Sequence, residues 1–252
     1  MPRTPIVAGN WKMNTSAQTA RELAEAIKAG GLDSITSVEK VLCPPFVYLP
    51  LVSDIARGTS VRVGGQDLHW EEKGAFTGEV SGPMLLDFAT HVIIGHSERR
   101  AYFGETDETV NKKLRAALAH GLTPMVCVGE TGAERQANQT LDVLQRQVRG
   151  ALAGIDLPTT AVIAYEPVWA IGTGVAATSA DAQDACAFIR SELAQIANSA
   201  TADAVRVLYG GSVSPANIAE LVSQPDVDGG LVGGAALVAQ SFIDMVKNVA
   251  AM

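Results

Sequence analysis

Three residues with different chemistries stand just after short apolar runs in this 252-residue chain: an amine, Lys12, an imidazole, His96, and a carboxylate, Glu166. Thr160 to Tyr165 reads as a buried strand, and Glu166 stands at its exit. Pro167 follows at once, so the strand must stop and the backbone must turn there. The next residues, Val168, Trp169, Ala170, Ile171, Gly172, Thr173 and Gly174, are bulky and apolar in the middle and permissive at the end. Such a segment can close over a site and shed water from it. A carboxylate beneath a closing lid is a candidate general base. Taken singly, each residue has a plainer reading: Glu166 in a surface salt bridge, Lys12 solvated, His96 a satisfied structural histidine. Their shared placement at run exits is what argues for chemistry.

The elements that must position them recur along the chain. Apolar runs lie at Ile6-Val7-Ala8, Val38 to Leu42, Val61 to Val63, Val92-Ile93-Ile94, Met125 to Val128, Ala161 to Tyr165, Val205 to Tyr209 and Leu231-Val232. Amphipathic stretches at helical spacing lie between them, such as the stripes Leu141, Leu144, Val148, Leu152 and Cys186, Ile189, Leu193, Ile196. Short runs alternating with helices imply parallel strands joined by helical crossovers. Eight such units predict a closed α/β barrel of the (β/α)8 type, one catalytic domain over residues 1–252. An open doubly wound sheet is the alternative, but no Gly-x-Gly-x-x-Gly follows the first run.

In such a barrel the strand exits share one rim, where chemistry sits. The first run delivers Asn10-Trp11-Lys12, the third Gln66-Asp67 and a long loop, the fourth Gly95-His96-Ser97, the sixth Glu166. The seventh and eighth deliver glycine turns, Gly210-Gly211-Ser212 and Gly233-Gly234, each leading into a helical stretch. Glycine backbones and helix N-termini suit an anion, and this is the usual phosphate position of the architecture. Pro215 fits the first turn of its helix. The four histidines, His69, His91, His96 and His120, have no metal-ligand spacing, and the sixth exit holds a glutamate where a Schiff-base lysine would be wanted. What remains suits proton abstraction beside a carbonyl in a small phosphorylated molecule, with His96 and Lys12 stabilising the developing enediolate.

The bulk numbers narrow the partners. A net charge of −8 argues against nucleic acid or an anionic membrane, so any anionic ligand must be held locally. Cys43, Cys127 and Cys186 are odd in number and widely spaced, reading as core residues in a reducing compartment. The N-terminal run is too short for a signal-peptide core, and no run approaches the ~18 residues of a membrane span. A cytoplasmic protein is expected.

The chain resembles the triosephosphate isomerase family from end to end. The resemblance is carried by Gly9-Asn10-Trp11-Lys12-Met13-Asn14, Gly74-Ala75-Phe76-Thr77-Gly78-Glu79, Gly95-His96-Ser97-Glu98-Arg99-Arg100, the stretch Ala164 to Gly174, Tyr209-Gly210-Gly211-Ser212-Val213 and Leu231-Val232-Gly233-Gly234-Ala235. It implies interconversion of dihydroxyacetone phosphate and glyceraldehyde 3-phosphate without a cofactor. It further implies Glu166 as base, His96 as a neutral electrophile, Lys12 as cation and Asn10 as a substrate-side donor. Backbone N–H groups of Gly172, Ser212, Gly233 and Gly234 would hold the phosphate, and residues 167–174 would form the lid. It also implies a homodimer in which the loop over residues 66–79 enters the neighbouring subunit, with Thr77 reaching toward that subunit's lysine and histidine. Two departures stand out: Val175-Ala176-Ala177 replaces the frequent Lys-Thr-Ala at the end of the lid, and Gly229-Gly230 predicts looser packing in the eighth strand. The rival readings are another phosphate-binding barrel enzyme and a catalytically silent barrel kept for binding.

Overall fold

Eight parallel strands close on themselves in chain order, β1 (Ile6–Asn10), β2 (Glu39–Cys43), β3 (Val61–Gly65), β4 (His91–Ile94), β5 (Thr123–Val128), β6 (Val162–Tyr165), β7 (Arg206–Tyr209) and β8 (Gly229–Val232). The last pairs back with the first, Ile6 opposite Gly229. The molecule is described by a computed structural model over residues 3–171 and 177–252. Gly172, Thr173 and Gly174, together with Val175 and Ala176, lie outside the described residues. Around the barrel run α1 (Ala17–Ala29), α2 (Leu49–Ala56), α3 (Gly82–Leu86), α4 (Ser97–Phe103), α5 (Asp107–Ala119), α6 (Gly132–Gln136), α7 (Thr140–Leu152), α8 (Ser179–Ile196), α9 (Ser199–Ala204), α10 (Ile218–Val222) and α11 (Ala239–Ala250).

The strands are apolar on both faces because both are covered. One set of alternate residues, including Ile6, Ala8, Val41, Ile93, Met125, Val162, Ala164, Leu208 and Leu231, fills the barrel interior. The intervening set, including Val7, Leu42, Val92, Ile94, Val126, Ile163 and Val207, packs outward under the helices. Cys43 and Cys127 belong to the interior and Cys186 to α8, all three buried and unpaired. In α8 the expected stripe of Cys186, Ile189 and Leu193 is buried, with Ile196 packed at its edge. In α7 the stripe is displaced. Leu141 sits in the first turn with half of its surface in solvent, and Val143, Leu144, Val148, Ala151 and Leu152 face the barrel instead. Spacing alone admits either set; the direction from which the helix approaches selects one.

The departure at the eighth strand has two halves. Gly229 has φ +134°, and a Cβ there would collide with the Ile6 backbone, so β8 approaches β1 more closely than a side chain permits. The packing at Gly229 is tight, contrary to the expectation. At Gly230 a Cβ would meet Val213 and Val232 at 3.5 Å, ordinary contact, so there the room is real.

The N-terminal end of the barrel, its floor, is closed by charge. Asp228 accepts from Arg3 Nε (2.6 Å), Arg190 Nη2 (2.7 Å) and the Val207 N–H (2.8 Å), while Arg190 Nε also meets Asp226 (2.7 Å). Glu39 at the start of β2 pairs with Arg206 at the start of β7 and lies 3.0 Å from His91 Nε2.

Candidate active site

At the opposite end, the strand exits bring Asn10, Lys12, His96, Glu166, Gly210, Gly211, Ser212, Gly233 and Gly234 around one cavity of about 510 Å³, with Ile171 on its edge. Every described residue proposed for catalysis or phosphate contact from the sequence lines it.

Lys12 follows the end of β1 with φ +51°, a conformation that ordinary side chains rarely adopt. Two hydrogen bonds hold its backbone there, and a third fixes the glutamine that makes one of them. The Lys12 N–H donates to Asn10 Oδ1 (3.0 Å), and Gln66 Nε2 donates to both the Lys12 and the Cys43 carbonyls (2.9 Å each). The amine reaches Glu98 Oε1 at 2.5 Å, and a Cβ on Gly233 would lie 3.5 Å from Lys12 Cε. The cation therefore passes directly beside the eighth-strand turn. With Asn10 Oδ1 occupied, its NH2 is the end left for the cavity.

His96 caps α4: its Nδ1 accepts the Glu98 N–H at 3.2 Å. An accepting Nδ1 carries no proton, so the imidazole is the neutral tautomer with hydrogen on Nε2. That Nε2 lies 2.8 Å from Glu166 Oε1, and Glu166 Oε2 accepts the Ser97 N–H at 2.8 Å. The two groups thus occupy one another. Burial pushes the Glu166 carboxyl up, but His96, the Ser97 N–H and Lys12 outweigh it and leave the pKa below the usual carboxylate value. Burial pushes His96 down, and the Glu166 carboxylate outweighs it in the other direction. Glycines on both flanking strand exits pack closely against Glu166 where a side chain would not fit. A Cβ on Gly129 would collide with the Glu166 carbonyl, and one on Gly210 would lie 3.0 Å from Glu166 Cγ.

The segment after Glu166 divides into parts with different directions. Pro167 is buried, Val168–Ala170 form one 3-10 turn, and Ile171 faces the cavity. Trp169 turns away from it, its Nε1 donating to Glu130 Oε1 (2.8 Å). The apolar middle of the segment is therefore half anchor and half cover. On the phosphate side, Ile218 N–H bonds the Ser214 carbonyl, so a helical turn does begin at Pro215, although regular helix is confined to Ile218–Val222. After Gly233 a short 3-10 turn, Gly234–Leu237, precedes α11. Thr77 is exposed in the long loop between β3 and α3 and is not brought to this cavity.

Residues not singled out from the sequence also serve the site: Gln66 as the stay of Lys12, Glu98 as its ion partner, Gly129 as the close packing partner of Glu166, Glu130 as the anchor of Trp169. The signal for the last two was position, since Gly129 and Glu130 occupy the fifth strand exit.

These features define an α/β-barrel enzyme with an acid–base pair, a fixed cation and two glycine turns at the strand exits. A sequence profile described as triosephosphate isomerase matches residues 5–249. The triosephosphate isomerase of Moorella thermoacetica is 56% identical over 97% of this chain and 98% of its own, and that of a Roseiflexus species is 53% identical over 97% of each. The crystal structure of triosephosphate isomerase from Bartonella henselae superposes with a TM-score of 0.88 at 41% identity, covering 97% of this chain and 98% of that one. The chain belongs to the triosephosphate isomerase family.

Proposed function

We propose that this single catalytic domain interconverts dihydroxyacetone phosphate and D-glyceraldehyde 3-phosphate through an enediolate. The observation that carries the assignment of roles is the buried Glu166–His96 contact, placed on the wall of a cavity that also holds Lys12 and the two glycine turns. Substrate entering the cavity displaces Glu166 from His96. Freed, the carboxylate takes a proton from the carbon beside the carbonyl, the C–H electron pair forms the C=C bond, and the carbonyl pair moves onto oxygen. His96 Nε2–H and the Lys12 ammonium face that oxygen and stabilise its charge. His96 gives its Nε2 proton to that oxygen and takes up the hydroxyl proton of the neighbouring position, and Glu166 then returns the carbon-derived proton to the other carbon, which completes the isomerisation. One proton has moved between carbons and one between oxygens, with no net oxidation, so side chains suffice. The phosphate sits against the N–H groups of Ser212, Gly233 and Gly234, completed by Gly172 of the lid. Closure protects the enediolate, which in water eliminates its phosphate.

The test is a coupled isomerase assay on the purified chain. Turnover is expected in both directions; binding of inorganic phosphate without turnover would instead favour a silent barrel.

The working form is a homodimer by the same proposal. In the loop over residues 66–79, Trp70 stacks on His69 and Phe76 lies tilted against it, with ring centroids 4.3 Å apart in each case, and Phe76 remains exposed. Met13, Val47, Tyr102 and Phe103 are exposed large apolar residues, the most exposed being Met13 at 96%. A second cavity of about 350 Å³, lined by Met13, Val47, Gln66 and Phe103, backs onto Lys12 and His96, where a partner's Thr77 would reach. Thr77→Arg would bury an unpaired charge, at a cost of several kcal/mol. Monomer and a large fall in kcat should appear together on dilution; a fully active monomer in sedimentation would separate assembly from catalysis.

No helix among the described residues is long and apolar enough to cross a membrane. Three free buried cysteines accord with a cytoplasmic role in glycolysis and gluconeogenesis.

A further inference from the structure

Arg135, on the five-residue α6 beyond the fifth strand exit, touches neither the cavity nor Glu166, yet it meets both flanks of the segment that follows Glu166. Its guanidinium carbon lies 4.2 Å from the centre of the Trp169 ring, and its Nη2 bonds Asp181 Oδ1 at 2.8 Å. Trp169 is three residues past Glu166. Asp181 belongs to the first turn of α8, whose other oxygen caps Thr178 through both its N–H (3.0 Å) and its hydroxyl (2.7 Å). Thr178 in turn follows the buried Ala177, the first residue described after the lid.

The pieces around Arg135 are also held by contacts of their own, and Glu130 is a looser ion partner of Arg135, its Oε1 3.7 Å from Nη1. Glu130, fully buried, takes Trp169 Nε1–H at 2.8 Å and Tyr165 Oη–H at 3.1 Å on one oxygen. The Val168 N–H bonds the Glu130 carbonyl at 3.1 Å. Thr131 and Glu134 cap α6 reciprocally, which fixes the base from which Arg135 projects. A Cβ on Gly132 would stand 3.6 Å from Trp169 Cβ, so the start of α6 lies directly against that residue.

We propose that Arg135 is a positioning residue for the reaction: it ties the turn carrying Glu166 to the start of α8 and thereby fixes where the base returns in each cycle. Arginine suits the task because its flat face covers a ring while its edge binds a carboxylate, two contacts that a lysine ammonium cannot make together. The inference rests on the proposed role of Glu166.

The test compares Arg135→Ala, Arg135→Lys and Asp181→Asn with the parent in the full-length protein, using D-glyceraldehyde 3-phosphate as substrate and 5-fluorotryptophan labelling as a second readout. Trp169→Phe assigns the Trp169 fluorine signal. In Arg135→Ala that signal should shift, those of Trp11 and Trp70 should stay, and kcat should fall about tenfold while KM changes less than twofold. Arg135→Lys should recover less than half of the loss, and Asp181→Asn should lower kcat in the same direction by a smaller factor. A fall in melting temperature with kcat within twofold of the parent would reduce Arg135 to a structural residue and overturn the proposal, as would an unmoved Trp169 signal. An inactive parent would overturn the isomerase reading itself; an active parent with a fully active Arg135→Ala overturns only this inference.

Discussion

The two ends of the barrel use the same residue types to opposite effect. At the floor, Asp228 has two arginines and a backbone N–H, and Glu39 has Arg206 and His91. At the rim, Glu166 has His96 and a backbone N–H, and Lys12 has Glu98. What differs is the surroundings. The floor charges are tied to one another between the strand starts. The rim charges stand on the wall of a cavity large enough for a small phosphorylated molecule, with glycines of the neighbouring strand exits packed close against Glu166. A satisfied carboxylate is structural where it has nowhere to go. Beside a cavity, it stands where the proposed base needs to be.

Exchanging residues at the two ends separates these roles. The largest effect is expected at the rim. Glu166→Ala removes a general base, typically worth ~10²–10⁴-fold in rate, so kcat should fall by at least that range with little change in inhibitor binding. Steady-state kinetics retaining more than about a tenth of the parent kcat would dismiss Glu166 as the base. At the floor, Asp228→Ala leaves Arg3 without its carboxylate and Arg190 with Asp226 alone, and breaking such a pair costs about 3–5 kcal/mol. Denaturant unfolding should register that loss while kcat per folded molecule stays within twofold of the parent.

A subtler exchange uses pH. The His91 hydrogen bond, against the opposing push of burial and with help from Arg206, holds the Glu39 carboxyl down to about 2. A carboxyl depressed by folding stabilises fully above its unfolded value, near 4.5, and loses that contribution as pH falls toward 2. The melting-temperature gap between parent and Glu39→Gln should therefore be widest above pH 5 and should shrink as the buffer is taken down to pH 3. A gap that is constant over this interval would assign the floor's contribution to shape and not to charge. The smallest expected effect is Gly230→Ala. The methyl group fits beside Val213, and loss of unfolded-chain freedom should stabilise by about 0.4–1 kcal/mol, read as a higher denaturant midpoint at unchanged slope.

The eight strands were legible because burial on both faces writes itself as apolar runs, and the rim was legible because the architecture gathers whatever ends those runs. Partnerships were not. Glu39 and Arg206 are 167 positions apart, and nothing local to either announces the other. The same holds for Arg135 and Asp181, 46 positions apart, whose meeting depends on the first turn of α8 coming within reach of one side chain of α6. Leu141 kept helical spacing with its neighbours and still faces solvent, since periodicity defines a stripe but not which edge of it the barrel covers. At Gly229 the residue type was visible, but its reason, a backbone pressed against Ile6, belongs to a contact across almost the whole chain.

That seam between β1 and β8 also governs how the molecule is made. Until Gly229–Val232 is in place, the ring stands open with unpaired backbone along β1 and β7, two templates for strand addition by another chain. The contact that removes both is the one of greatest sequence separation, and it carries the largest loop-closure cost in the barrel. Chains interrupted before residue 229 keep both edges for life. Quality control in the cell would meet them as adhesive fragments, however well their first seven strands are formed.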